Sequence, residues 1–184
     1  MNIVFLLEEP SAKAMLSGLL PRLLPEGVAF DFLVFRGKQD LEKQLVQAMR
    51  RYHAPKARFV VLRDQDAGDC KQVKKGLAAK CVEAGKPDAL VRIACHELES
   101  WYLADLVAVE RGLEVSNLAR LQEKNPYRAP DTLPRPSERL AQIAPYQKVG
   151  GSRAIGPHLD PKNGRSRSVR NFVTGIQRLI SEEG

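Results

Sequence analysis

The chain has 184 residues, 43% hydrophobic and 28% charged, with a net charge of +7, a globular composition that suffices for one packed core and a small appendage. No run approaches the ~20 apolar residues of a membrane span, which argues against a membrane protein. Cys70, Cys81 and Cys95 are odd in number and lack CxxC spacing, which argues against a zinc centre or a disulfide framework and for a reduced, cytoplasmic setting.

In chain order, residues 3–7 are a continuous apolar run, as for a strand buried on both faces. It opens without a basic leader, so no signal peptide is expected. Glu8-Glu9-Pro10-Ser11 stops it, and Ser11 is placed to cap a helix over 12–20 that Pro21 ends or kinks. Residues 28–35 alternate with aromatics and predict a second strand. Residues 40–52 predict a helix with Leu41, Leu45, Ala48 and Met49 on one face. Residues 59–62 predict a third strand. Asp69 then caps a helix reaching about residue 83, apolar on Val73, Leu77, Cys81 and Val82 and lysine-rich elsewhere. A fourth strand is expected over 89–94 and a helix over 98–109.

This βαβαβαβα order predicts an α/β fold, a three-layer, Rossmann-like parallel sheet with helices on both faces. After Gly112 the character changes. Residues 125–136, rich in Pro and polar groups, predict loop. A short helix over 137–143, a Gly/Arg loop over 148–165 and a closing helix over 168–180 follow. The expected organisation is an α/β core at 1–112 with a basic helical and loop extension at 113–184 packed on it as one unit. Between Arg120 and Ile180 twelve Lys/Arg stand against four Asp/Glu, a balance of +8. That suits a phosphate-rich partner, and a solvated basic surface has the same signature.

Three acid clusters fall at strand ends: Glu8 and Glu9 after the first, Asp64 and Asp66 after the third, Glu97 and Glu99 after the fourth. In an open parallel sheet all carboxyl ends share one edge, where ligands bind. Asp64 and Asp66, two apart on an extended run, are expected to point the same way. Together they would seat a hard cation such as Mg²⁺ or Mn²⁺, which takes carboxylate, water and phosphate oxygens. Strand-end acids also cap helices or face water. Asp69 reads as a cap, and Glu99 reads equally as a first-turn helix acid. GxxxxGK[ST], GxGxxG after the first strand and GxSxG are all missing, so nucleotide cradles and a serine-hydrolase elbow are not expected. His53, His96 and His158 lack metal spacing; His96 reads as a proton shuttle or an ordinary, partly exposed residue. Trp101 is assigned to the core.

Glu8-Glu9-Pro10-Ser11, Arg63-Asp64-Gln65-Asp66, Glu99-Ser100-Trp101 and Tyr146-Gln147-Lys148 resemble the motifs of Toprim domains. These are the metal-binding modules of topoisomerases, bacterial primases and overcoming-lysogenization-defect nucleases. The nearest likeness is to small stand-alone Toprim-like proteins grouped as a domain of unknown function, and it spans most of the chain through short motifs. It implies that Asp64, Asp66 and Glu8 hold Mg²⁺ (or Mn²⁺), with Glu97 or Glu99 completing a second metal site. It implies Glu8 and Lys148 as catalytic groups, Lys148 facing the developing oxyanion, and Arg63, Arg153, Arg165 and Arg167 as phosphate or nucleic-acid contacts. One departure stands out. Glu9 replaces the glycine that follows the catalytic glutamate, a position where glycine permits positive φ or close backbone approach; an inactive copy is one consequence. The leading expectation is a Mg²⁺-dependent nuclease acting on DNA or RNA, with the resemblance pointing to defence against mobile DNA. A non-catalytic nucleic-acid- or partner-binding module and a small-substrate phosphatase or phosphotransferase are the alternatives. Oligomeric state is left open.

Overall fold

The computed structural model describes residues 1–54 and 56–181. Its strands are β1 (Asn2–Leu7), β2 (Ala29–Val34), β3 (Ala57–Asp64) and β4 (Leu90–Ala94). The helices are α1 (Pro10–Leu23), α2 (Lys38–Arg51), α3 (Cys70–Glu83), α4 (Glu99–Leu103), α5 (Leu106–Leu113), α6 (Pro136–Ile143), α7 (Lys148–Ile155) and α8 (Arg167–Ser181). The strands form one parallel sheet in the order β2-β1-β3-β4. This is the expected α/β architecture.

Strand alternation sorts the side chains to two faces. Ile3, Phe5, Leu7, Val60 and Leu62 pack with α1, α4, α5 and α8, while Val4, Leu6, Phe59, Val61, Val91 and Ile93 pack with α2 and α3. Residues 3–7 are fully buried, which accounts for their unbroken apolar run. One apolar cluster draws on both sides of Gly112. The Phe172 ring of α8 lies 6.4 Å from Phe5 and 5.1 Å from Trp101. Trp101 is core, as expected, and its Nε1 donates to Ser168 Oγ at 2.9 Å. Each such fully buried large side chain contributes about 1.5–3 kcal/mol. Among the described residues no helix is long and apolar enough to cross a membrane.

Several local expectations are corrected. Ser11 does not cap α1. Pro10 takes the first helical position, where its missing N–H is harmless, and the helix runs through Pro21 to Leu23. The expected helix over 98–109 is two helices, because Asp105 leaves the helix and accepts from Ala108 N at 3.1 Å, starting α5 afresh. The expected loop over 148–165 begins with α7. Its two glycines each cost about 1 kcal/mol in a helix, but packing outweighs them. A Cβ on Gly151 would stand 2.5 Å from Tyr146 Cδ2, so the glycine lets that ring lie against the helix. Gly112 similarly lets α5 meet α7, where a Cβ would fall 2.7 Å from the Ala154 carbonyl oxygen. Asp69 caps α3 as expected, accepting from Gln72 N at 2.8 Å.

Candidate functional site

β1 is flanked by β2 on one side and β3 on the other. The strand order therefore reverses between β1 and β3, and their carboxyl ends form the switch point at which open α/β sheets bind ligands in a crevice. Glu8 and Glu9 follow β1 and Asp64 ends β3, so two of the expected site residues, Glu8 and Asp64, meet at this switch point with Glu9 next to them. Glu8 Oε2 accepts from Asp64 N at 3.1 Å, which stitches the two strand ends together. Glu99, at the start of α4, and Lys148, at the start of α7, approach from the face that carries Leu62 and Asp64. Their charges act on Asp64 together with those of Glu8 and Glu9.

Burial drives the Asp64 carboxyl well above the usual carboxylate range. Glu99, Glu8 and Glu9 push it the same way, and Lys148 opposes them. Among the described residues nothing donates a hydrogen bond to this carboxylate. Glu99 is 1% exposed. Its Oε1 accepts from Tyr146 Oη at 2.8 Å, while its Oε2 is buried without a hydrogen-bond partner. Burial raises the Glu99 pKa, with the Tyr146 hydrogen bond and Lys148 working against it. Glu8 is raised as well, mainly by burial. Lys148 Nζ pairs with Glu9 Oε2 at 2.7 Å. Burial disfavours its charge, but Glu9, Glu99 and Asp64 together raise its pKa, so it stays cationic.

Tyr146 is the centre of a polar network. Beyond Glu99, its hydroxyl meets Ser152 Oγ at 3.1 Å and the Lys148 carbonyl at 3.2 Å, and Ser152 Oγ in turn accepts from Tyr102 Oη at 2.8 Å. Burial is the main cause of the strongly raised pKa of the Tyr146 phenol, with Glu99 adding to it; it therefore remains a donor. Sequence reading met Tyr146 only as part of a short motif. Nothing in its spacing announced that it holds Glu99.

The other expected site residues are placed apart. Asp66 lies past the end of the strand, and its charge still helps to raise the Glu8 pKa. β3 ends at Asp64, and Asp66 turns with φ 55° as its N–H donates to the His96 carbonyl at 2.8 Å. The two-residue alternation stops with the strand. Asp66 Oδ2 instead meets Lys38 Nζ, on the first turn of α2, at 2.9 Å. Glu97 Oε2 accepts from Ser137 N at 2.7 Å and so serves the start of α6. Arg63 points to the opposite face from Asp64, pairing with Glu42 Oε1 at 2.7 Å; its Nε lies 3.9 Å from Glu8 Oε2. Arg153 is exposed on α7, Arg165 pairs with Glu123 at 2.7 Å, and Arg167 is exposed at the start of α8. Lys148 begins a helix instead of riding a mobile-looking glycine loop. Glu9 is extended, with φ −153°, so its position makes no demand for glycine. Among the described residues no three His, Cys, Asp or Glu side chains stand together in a geometry that holds a metal ion.

Residues 7–177 match the family described as Domain of unknown function (DUF4276). The chain belongs to that family. The match runs through both the sheet and the helices after Gly112, so every residue of the crevice network lies inside the DUF4276 span. The solved C-terminal region of the Burkholderia pseudomallei OLD protein aligns with a TM-score of 0.50 at 15% identity, over 97% of this chain and 98% of that one. At that identity the likeness is one of fold. The curated proteins contain no significant match.

Among the described residues no three acids of this DUF4276 crevice stand in a metal-holding geometry, so any hard cation here would rest on at most two carboxylates. The Asp64 carboxylate and the orphaned Glu99 Oε2 are oxygen ligands without partners, and Glu8 adjoins them. Mg²⁺ needs only one or two carboxylates, filling its remaining positions with water and phosphate oxygens. Asp66 and Glu97 are engaged elsewhere and do not join that set as they stand.

Proposed function

We propose that this chain is a divalent-cation-dependent phosphodiester-processing protein, a nuclease acting on DNA or RNA, with a Toprim-like arrangement of its acids. The observation that carries the reading is the buried, orphaned Oε2 of Glu99, whose charge acts on the half-buried Asp64 carboxylate at the β1/β3 switch point. Leaving buried carboxylate oxygens without hydrogen bonds is costly, and a cation would relieve that cost. Asp64 and Glu99 would hold Mg²⁺ or Mn²⁺ through two carboxylates and water, and the ion when bound would supply Lewis-acid polarisation of a phosphoryl oxygen. Glu8, whose pKa burial raises, would take a proton from an attacking water. Lys148 brings a positive charge to the developing oxyanion once it turns from Glu9. Tyr146 fixes the orientation of Glu99. The fold likeness to the OLD region and the DUF4276 match are consistent with this reading, and defence against mobile DNA is the context the Toprim resemblance suggests.

The test is cleavage of labelled DNA and RNA with Mg²⁺ or Mn²⁺ by wild type and by Asp64→Asn. Loss of at least about 100-fold in rate, with circular dichroism unchanged, is expected, since even outer-shell changes at metal sites cost 10–100-fold. Equal cleavage by the variant would overturn the reading. A second reading has an observation of its own. The Lys148–Glu9 and Lys38–Asp66 pairs already place cations at the rim, as suits a binding module without turnover. Nucleic-acid binding by wild type without cleavage at any divalent concentration would select it.

A further inference from the structure

β4 is an edge strand. α3 flanks it on one face of the sheet and α8 on the other, and between them lies a cleft of about 520 Å³. Lys71 and Lys74 of α3, Arg92 of β4 and Arg167 of α8 line it. Lys71 and Lys74 are nearly one helical turn apart, on the same side of α3. The side chains of Lys71, Lys74 and Arg167 are exposed and have no ion-pair partner among the described residues. The acid lining the cleft, Asp131, is already used: its carboxylate accepts from Arg167 N at 2.6 Å, Ser168 N at 3.2 Å and Ser166 Oγ at 2.6 Å, which caps α8. No acid precedes Glu83 on α3, and α8 carries none. The lining therefore sets four cations, Lys71, Lys74, Arg92 and Arg167, against the single carboxylate of Asp131.

Arg92 forms the floor. Its Nε donates to the Asn171 carbonyl at 2.8 Å and its Nη1 to the Val91 carbonyl at 2.9 Å, so the guanidinium is held in place by backbone. Burial, then the neighbouring Arg178, disfavours its charge, and an anion in the cleft would offset that. One end of the cleft is formed by Cys70 and Cys95. Both stand at the carboxyl end of the sheet, Cys95 directly after β4 and Cys70 at the start of the helix that follows β3, and the switch point lies on that same edge. A basic track thus runs beside the edge strand toward the carboxyl-end rim of the sheet, the rim that carries Glu8 and Asp64.

We propose that this cleft binds the phosphate backbone of a nucleic-acid strand and delivers it to the crevice. The inference rests on the reading of the crevice as a phosphodiester site for its purpose, but binding is read separately from cleavage. A row of fixed and flexible cations on two helices and a strand suits a repeating anion. The carboxylates of the crevice repel one, so grip on the strand has to come from outside the crevice.

The experiment is fluorescence anisotropy of a labelled single-stranded oligonucleotide in EDTA, over a range of NaCl concentrations. Wild type is compared with Lys71→Gln/Lys74→Gln/Arg167→Gln and with Lys13→Gln/Lys43→Gln/Lys162→Gln, which removes three exposed charges elsewhere. All variants are first checked for an unchanged thermal melt. The cleft variant is expected to bind at least about tenfold more weakly at low salt, with a slope of log K against log[NaCl] shallower by about 2, as for three lost phosphate contacts on a single strand. The control variant is expected to keep the wild-type slope. Equal weakening in both variants, or an unchanged slope in the cleft variant, would overturn the proposal. So would displacement of the oligonucleotide by polyglutamate at equal charge concentration, since that would show bare charge and not phosphate to be recognised. Wild type that binds with the expected slopes but cleaves nothing would retain the cleft and sink the nuclease reading. Cleavage with no cleft effect would do the reverse.

Discussion

The crevice and the basic cleft are both strongly charged, and they handle charge in opposite ways. At the crevice rim, cations and acids interleave: Lys38 with Asp66, Lys148 with Glu9, Arg63 with Glu42. What lacks a hydrogen-bond partner there is the buried Oε2 of Glu99, together with the buried Nε of Arg63 behind Glu8. In the cleft Lys71, Lys74 and Arg167 lack ion-pair partners among the described residues, but they stand in water on long side chains. An exposed, unpaired lysine costs the fold almost nothing. A buried, unpaired carboxylate costs a great deal, and it raises its own pKa to reduce that cost. Changes at the crevice should therefore move stability and catalysis together, whereas changes at the cleft should move only salt-dependent binding.

Asp64→Asn probes this contrast hardest. Besides abolishing cleavage, it should stabilise the metal-free protein. Because the folded pKa of Asp64 is raised, the folded state holds the proton more tightly than the unfolded chain does. That contribution is fully present below the unfolded value of about 3.9 and is lost as pH rises through the folded value. Removing the charge restores it at neutral pH. A melting temperature about 2–4 °C above wild type is expected at pH 7.5, the shift that ~1 kcal/mol produces in a chain of this size. The gap should close as pH falls toward about 4. Added Mg²⁺ should raise the wild-type melting temperature and leave the variant where it is. A variant less stable than wild type across that range would mean that Asp64 is a structural group, and the contrast would fail.

Tyr146→Phe tests Glu99. It leaves both Glu99 oxygens without a donor from Tyr146 and should destabilise the chain by about 1–3 kcal/mol in urea unfolding, the usual cost of a buried polar group losing its partner. Gly151→Ala reaches the same bond by sterics. The added methyl meets the Tyr146 ring and should cost a similar 1–3 kcal/mol through overpacking. If Glu99 matters only for packing, both variants lose stability and keep their rate per folded molecule. If it is a cation ligand, both also need more Mg²⁺ for half-maximal rate.

The fold was largely legible because its signals were strong and local. The fully buried β1 reads as an unbroken apolar run, and Asp69 caps α3 where a strand gives way to lysine-rich helix. The start of α7 was illegible because Val149-Gly150-Gly151 favours loop by propensity, and only the Tyr146 ring and the crossing of α5 reverse that. In the site, Glu8 and Asp64 were legible because strand ends in a parallel sheet must share an edge. The parting of Asp66 from Asp64 was not. It depends on where hydrogen bonding to β4 stops and on a single residue turning to positive φ, neither of which the Asp-x-Asp spacing encodes. Tyr146 and Lys38 were missed as partners because their contacts cross 47 and 28 residues of chain.

Glu9 offers the finest distinction. Its extended backbone shows that the residue after Glu8 needs no glycine here, so a substitution acts through the side chain alone. Glu9→Gln keeps an oxygen to accept from Ser11 Oγ, which lies 3.0 Å from Glu9 Oε1, and removes the charge that holds Lys148. The pair is half open to water, with the Lys148 side chain 51% exposed, so the loss of stability should stay within about 0.2–1 kcal/mol. Catalysis separates the two readings of the crevice. If Lys148 serves a phosphoryl oxygen, releasing it from Glu9 should raise kcat/KM severalfold at fixed Mg²⁺. If Glu9 is itself a ligand, kcat/KM should fall and recover as Mg²⁺ is raised. A rate unmoved in either direction would place the Lys148–Glu9 pair with the structural ion pairs of the rim, and would leave Asp64, Glu99 and Glu8 as the chemically active part of the crevice.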